Sequence, residues 1–304
     1  MKFEWKGVMP AITTCFDEQL EIDHEFTARH VAWLVDNGCT GIVTPGSLGE
    51  GSCLSLDEKK ELWKTCIDSV GSRVPVIAAI ASMSTADAIV QAKAAEEVGC
   101  SGLMVLPPYV YRGDWREMKH HVSEVVNATP LSCMLYNNPV AYGTDFLPEQ
   151  VAELANELPN LHAVKESSTD VRRVTAIKAL TGDHLAIFVG VDDAIVESIA
   201  VGATGWIAGL VSAFPKESVD LFNYAMSGEH EKARELYEWF LPLLRLDTVP
   251  KFVQLIKLVQ EKVGWGNQRV RPPRLELTGT ELEETVGIID HALATRPGVS
   301  VART

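Results

Sequence analysis

The feature of this 304-residue chain that most restricts its fold is a recurrence. Short apolar runs alternate with longer amphipathic stretches, with a return about every thirty residues. The runs are Gly7–Thr14, Gly41–Thr44, Val74–Ile80, Gly102–Leu106, Leu131–Tyr136, His162–Lys165, Leu185–Val189 and Gly205–Leu210. Each is apolar without alternation, as expected of a strand covered on both faces. Between them the period changes to that of a helix: Met118, Val122, Val125 and Val126 share one face, as do Val151, Leu154, Ala155 and Leu158. Helical stretches such as Ser55–Gly71 and Thr85–Gly99 open on Ser or Thr and close on Gly. This α/β pattern predicts a closed (β/α)8 barrel, the TIM-barrel architecture, in preference to an open doubly wound sheet. After the last run come two further helical stripes. One is Leu236, Trp239, Phe240, Leu243 and Leu244; the other is Phe252, Leu255, Ile256, Val259 and Val263. Residues 1–215 are therefore read as barrel and 216–304 as a C-terminal helical extension. No low-complexity linker parts them, so one compact unit is expected.

Charge narrows the partners. The formal net charge of -14 repels phosphate backbones and anionic lipid, which argues against nucleic acid and membrane surfaces. A small anionic substrate stays compatible, because a few local cations override the mean field. No apolar run approaches the roughly eighteen residues of a membrane span. The start, MKFEWKGVMP, lacks the apolar region of a secretory signal, so a cytoplasmic protein is expected. Cys15, Cys39, Cys53, Cys66, Cys100 and Cys133 form no CxxC pair and no metal-ligand spacing with histidine. They read as reduced thiols, mostly buried, and no metal is expected.

Barrels of this kind carry their sites at the C-terminal ends of the strands. Lys165 closes the sixth run, where desolvation favours the neutral amine that attacks a carbonyl. The plainer alternative is a lysine that reaches solvent or pairs with Glu166. Tyr136 closes the fifth run, one strand away, where its phenol could relay protons or simply plug the core. Tyr109, after the fourth run, either extends that relay or packs its loop. The second run leads into Pro45-Gly46-Ser47-Leu48-Gly49-Glu50. There the glycines either free backbone N–H groups for a substrate carboxylate, with Ser47 adding a hydroxyl, or only supply positive φ to a tight turn. Neither a dinucleotide fingerprint nor a phosphate loop is present. His120 and His121 read as a solvated helix face. Asp192 and Asp193, after the seventh run, either bind substrate hydroxyls or cap the next helix, with capping the preferred reading, and Asp170–Arg173 reads as a helix start with exposed charges.

Taken together, GSLGE at 46–50, Tyr109, YNNP at 136–139 and KESS at 165–168 resemble the dihydrodipicolinate synthase and N-acetylneuraminate lyase superfamily, from about Gly7 to Pro297. The resemblance implies a homotetrameric barrel with no cofactor, whose lysine forms an imine with a 2-oxo acid. It makes Lys165 that lysine, Tyr136 the proton-transfer tyrosine, Ser47 the hydroxyl that binds carboxylate, and Tyr109 a second relay tyrosine. Gly46, Leu48, Ala141 and Gly190 fall at substrate-binding positions. Two departures stand out. Ala141 replaces the arginine that holds the aldehyde's carboxylate in the synthases, and Leu48 replaces a threonine of their loop. Both remove polar contacts that a synthase uses.

The segments YNNPVAYGTDF, KESSTDVRR, PLLRLDTVPKFVQLIK and VRPPRL are more similar to the Δ1-pyrroline-4-hydroxy-2-carboxylate deaminases. The implied reaction is deamination of that cyclic imine to 2-oxoglutarate semialdehyde and ammonia. Dihydrodipicolinate synthesis, another 2-oxo-acid aldolase or sugar-acid dehydratase, and a non-catalytic barrel binding a small acid are the alternatives.

Overall fold

The computed structural model describes residues 3–70 and 73–297. The predicted helix end at Gly71 and the extension's last residues, 298–304, lie outside the described residues. Eight parallel strands form one sheet in the order β1-β8-β7-β6-β5-β4-β3-β2. They are β1 Gly7–Pro10, β2 Ile42–Thr44, β3 Val76–Ile80, β4 Gly102–Val105, β5 Ser132–Asn137, β6 Leu161–Glu166, β7 Ala186–Val189 and β8 Gly205–Ala208. A parallel bridge from Ala11 to Val43 joins the two ends, with Ile12 N donating to Val43 O at 3.1 Å. The predicted (β/α)8 barrel is the fold, and all eight runs are strands, though shorter than expected at β1 and β8. The chain after Ala208 turns into a 3-10 turn, Leu210–Ser212.

Around the strands stand α1 His24–Asp36, α2 Leu56–Val70, α3 Thr85–Val98, α4 Trp115–Asn127, the short α5 Pro139–Tyr142 and α6 Pro148–Glu157. Then follow α7 Arg172–Thr181, α8 Ile195–Ala200 and α9 Pro215–Ser227. The C-terminal helices are α10 His230–Leu244, α11 Phe252–Lys262 and α12 Gly279–Ala294. The starts are chemically marked. Ser84 caps α3 by accepting from Asp87 N, and Asp114 with Glu117 forms a capping box on α4.

The strands are apolar throughout because both faces are buried. Met9, Val43, Ile77, Ala79, Met104, Met134, Ala163, Phe188 and Ile207 fill the barrel interior. Their neighbours along each strand, such as Val8, Ile42, Leu103, Leu135, Val164, Ile187 and Trp206, pack outward against the helices. Trp5 blocks the N-terminal end, edge-on to Phe188 at 6.0 Å, and donates Nε1–H to Ser132 Oγ at 2.8 Å. The interior is thus filled from below, and only the C-terminal mouth is left for polar groups.

One buried ion pair ties the extension to that mouth. Lys257 on α11 and Glu50 in the loop after β2 are 2.6 Å apart and almost wholly excluded from solvent. Glu50 also accepts from Arg271 N at 3.0 Å, and Lys257 Nζ lies 4.5 Å from the centre of the Phe16 ring. Removing one member strands a desolvated charge, which costs on the order of 3–5 kcal/mol. Lys257→Met is therefore expected to lower unfolding free energy by about that amount in urea titration. The double variant Glu50→Gln, Lys257→Met should recover much of the loss. Losses that simply add in the double variant would show that the pair carries no coupling.

Candidate active site

Parallel pairing of β5 with β6 sets Tyr136 opposite Lys165. Both share the inward parity of Met134 and Ala163, and both are 6% exposed. Lys165 Nζ sits 4.2 Å from the centre of the Tyr136 ring. Glu166, one residue on, faces the helix layer. It accepts from Asn137 Nδ2 at 3.0 Å and Ser168 N at 2.6 Å, and burial raises its pKa. The carboxylate next in sequence is thus committed on the far side of the strand.

Asn138 follows β5 and does two things. Its Nδ2 donates to the Tyr136 hydroxyl at 3.0 Å, and its Oδ1 accepts from Ala141 N at 3.0 Å, which caps α5. That single turn brings Tyr142 back over the mouth. The Tyr142 and Ser47 hydroxyls are hydrogen-bonded, and the Tyr142 ring stands edge-on to Tyr136 at 5.8 Å and to Tyr109 at 5.6 Å. Burial holds the Tyr142 phenol well above its ordinary pKa, and the neighbouring phenols of Tyr136 and Tyr109 push the same way. Burial also raises Tyr109, with Ser47 offsetting part of the effect. At neutral pH Tyr109 and Tyr142 are therefore neutral hydroxyls, able both to donate and to accept.

Tyr142 was not among the residues singled out from the sequence. The signal was present in NNPVAYG: an Asn cap, Pro at the first helical position, and a tyrosine at the end of the turn.

The loop after β2 differs from expectation in one respect. Neither Gly46 nor Gly49 has positive φ; that conformation falls on Glu50, at 53°. Gly49 is demanded by space, since a Cβ there would lie 2.9 Å from Ile12 O, whereas Gly46 has room. Among the described residues the N–H groups of Ser47 and Leu48 have no protein acceptor, so they remain available to an anion. Leu48 is buried, and its Cδ2 lies beside Gly209. Ala141 is exposed on α5, its N–H taken by Asn138, and offers only a methyl. The Arg112 guanidinium packs against nearby Gly143.

Gly190 shapes the lysine directly. A Cβ there would fall 1.9 Å from Ser167 Oγ and 2.5 Å from Lys165 Cε.

Three sequence readings need correction. Asp192 is not a helix cap: it is fully buried and accepts from Trp206 Nε1 at 3.3 Å and Leu210 N at 3.2 Å. Burial lifts its pKa to about 7, against the pull of nearby Lys165. His121 is not on a solvated face; it is buried with Nδ1 2.9 Å from Thr85 Oγ1, and only His120 is exposed. Arg173 is drawn into a pair with Asp145 at 2.5 Å, leaving Arg172 as the exposed charge of that segment. The cysteines follow expectation in that all six are free and only Cys53 is not buried. Among the described residues no group of three or more His, Cys, Asp or Glu could hold a metal, and no helix is long and apolar enough to cross a membrane.

The model of the dihydrodipicolinate synthetase family matches residues 4–292. The chain belongs to that family. It is 34% identical over 298 residues to the 4-hydroxy-tetrahydrodipicolinate synthase of Caldicellulosiruptor bescii, covering 98% of each chain. Identity to the Geobacter metallireducens enzyme of the same name is 36% over 285 residues, covering 94% of this chain and 98% of that one. The crystal structure of a dihydrodipicolinate synthase from Bacillus anthracis superposes with a TM-score of 0.91 at 30% identity, over 97% of this chain and all of the other. Membership makes the protein a class I lyase of the dihydrodipicolinate synthase superfamily.

Two substitutions test the geometry. Gly190→Ala should displace the Lys165 stem and lower kcat at least about 10²-fold, since sub-ångström placement of a reacting group carries that weight. Unchanged turnover would mean that the stem has room to spare. Tyr136→Phe keeps the ring and removes the hydroxyl, so kcat should fall about 10²–10⁴-fold with little change in KM. A rise in KM alone would make Tyr136 a binding residue.

Proposed function

We propose that Lys165 forms an imine with a small 2-oxo acid or cyclic imine, and that the substrate is Δ1-pyrroline-4-hydroxy-2-carboxylate. The observation that carries this reading is the Lys165–Tyr136 pair, an amine 4.2 Å from a phenol ring centre at the mouth of an apolar barrel interior. An amine so placed can act as the nucleophile toward a carbonyl or imine carbon. The Lys165 amine adds to the ring C=N carbon, and the ring C–N bond breaks to leave an open-chain amine and a lysine imine. The imine acidifies the C3 proton, which Tyr136 and the hydroxyls of Ser47, Tyr142 and Tyr109 are placed to pass on. The electron pair left at C3 expels the C4 hydroxyl as water. Tautomerisation and hydrolysis at C5 then release ammonia, and hydrolysis of the lysine imine releases 2-oxoglutarate semialdehyde. The free N–H groups of Ser47 and Leu48 suit the substrate's one carboxylate.

A second reading, dihydrodipicolinate synthesis, draws support from the names of the relatives and from Arg112. Although Ala141 supplies no cation, the guanidinium against Gly143 stands where a second carboxylate could be met. On either reading the enzyme acts as a cytoplasmic homotetramer without a resident cofactor. The exposed apolar side chains of Val110, Tyr111 and Val140, which are 86%, 55% and 69% exposed, favour association around the mouth.

Borohydride trapping and a paired turnover assay test the proposal. Reduction in the presence of pyruvate should place one adduct on Lys165 by peptide mapping, and Lys165→Ala should abolish it. The enzyme should release ammonia from the hydroxypyrroline carboxylate faster than it condenses pyruvate with aspartate semialdehyde. Faster condensation would establish the second reading, and an adduct elsewhere would remove Lys165 from the mechanism.

A further inference from the structure

Elimination of a hydroxide is slow unless an acid meets it, and the hydroxyls around Tyr136 are weak acids whose task lies at C3. Two buried carboxyls lie within reach of the charge of Lys165. Asp192 lies in the 3-10 turn after β7, Asp192–Ala194, and Asp247 ends the 3-10 turn Arg245–Asp247 between α10 and α11. They meet around Gly209, the first residue beyond β8. Leu210 N and Trp206 Nε1 donate to Asp192. A Cβ on Gly209 would fall 2.3 Å from Asp247 Oδ1 and 2.8 Å from Leu48 Cδ2, so Asp247 and the loop after β2 converge on one point of the rim.

Asp247 Oδ1 is sealed from solvent and has no hydrogen-bond partner. A buried, unpartnered carboxyl oxygen is costly to keep, and it signals a ligand or a proton at that place. Burial holds Asp247 well above the ordinary carboxylate range and the charge of Asp192 adds to this, while Lys165 pulls both groups down. Burial and the mutual repulsion of the two carboxyls both favour a proton retained on the pair. Among the described residues the charged groups acting on the pair are Lys165 from β6 and the two carboxyls themselves, and the Gly209 N–H favours the ionised form of each. Arg245 turns away to Asp193 at 3.5 Å.

We propose that Asp247 is the general acid that protonates the departing hydroxyl of a Lys165-bound substrate. The step balances without a further reactant. The C3 proton goes to the tyrosine side, the C3–H pair becomes the C3=C4 bond, the C4–O bond breaks, and the Asp247 proton leaves with the oxygen as water. Asp247 regains its proton from solvent when the mouth opens. The proposal deepens the lysine-imine reading and rests on it.

Asp247→Asn tests the assignment, with two rates followed on the purified full-length enzyme. One is ammonia release from Δ1-pyrroline-4-hydroxy-2-carboxylate. The other is exchange of the methyl protons of pyruvate in D2O, which needs Lys165 and C3 proton transfer but no leaving group. Ammonia release should fall about 10²–10⁴-fold, while exchange should fall by no more than about tenfold. In the parent enzyme kcat for ammonia release should decline as pH rises through the titration of the pair, because only the protonated acid donates, and the residual rate of the variant should lack that decline. A parallel Asp247→Ala variant, checked by its unfolding midpoint, separates a misfolded chain from a lost acid. Equal losses in both rates, an unaltered pH profile, or a variant that releases ammonia at the parent rate would overturn the proposal. So would a parent enzyme that exchanges pyruvate protons without releasing ammonia; that outcome removes the leaving hydroxyl but keeps the lysine. Absence of both activities in the parent enzyme would instead overturn the lysine reading itself.

Discussion

Everything at the mouth depends on the register of one parallel ladder. Side chains alternate along a strand, so a slip of one residue between β5 and β6 would send Lys165 out among the helices and bring Glu166 into the barrel. The register is held from both faces. Ala163 and Met134 fit the interior, while Val164 and Leu135 fit the helix layer. Asn137 adds a polar lock on the outside, with hydrogen bonds to Glu166 and to both backbone groups of Phe146. A reactive amine is thus kept in place by groups that never touch it.

Much of this architecture could be read from the residues. Continuous apolar runs identify strands buried on both sides, and eight of them with helices between leave little choice but closure. Lys165 and Tyr136 were legible because each ends such a run, and the rule for strand ends makes a polar group there conspicuous. The misses share a physical cause. Asp192 and His121 lie in segments where a polar residue ordinarily faces water, and their burial depends on neighbours far along the chain, Trp206 and Thr85 respectively. Tyr142 depends on how tightly a four-residue helix turns. Glu50, Lys257 and Asp247 are invisible to periodicity because each acquires its meaning across a long sequence separation.

The mouth also shows why mean charge says little about a site. The chain is strongly acidic, yet its central polar groups are an amine, neutral phenols and carboxyls whose ionisation burial opposes. With water largely excluded, each charge there is felt more strongly by its neighbours than on the surface. Small displacements, such as the methyl group that Gly190 omits, carry correspondingly large effects.

The Glu50–Lys257 pair joins residues 207 apart in sequence. During synthesis the loop bearing Ser47 leaves the ribosome long before α11 exists. At the usual rate of about 5–20 residues per second, that loop waits on the order of ten seconds or more for its counter-ion. A half-made chain therefore holds a carboxylate that its barrel has no means of burying. The buried contact at the rim can form only once the segment that carries Lys257 has docked. A prematurely terminated chain should thus be left without a competent mouth, instead of releasing a partly active barrel with a reactive lysine into the cell.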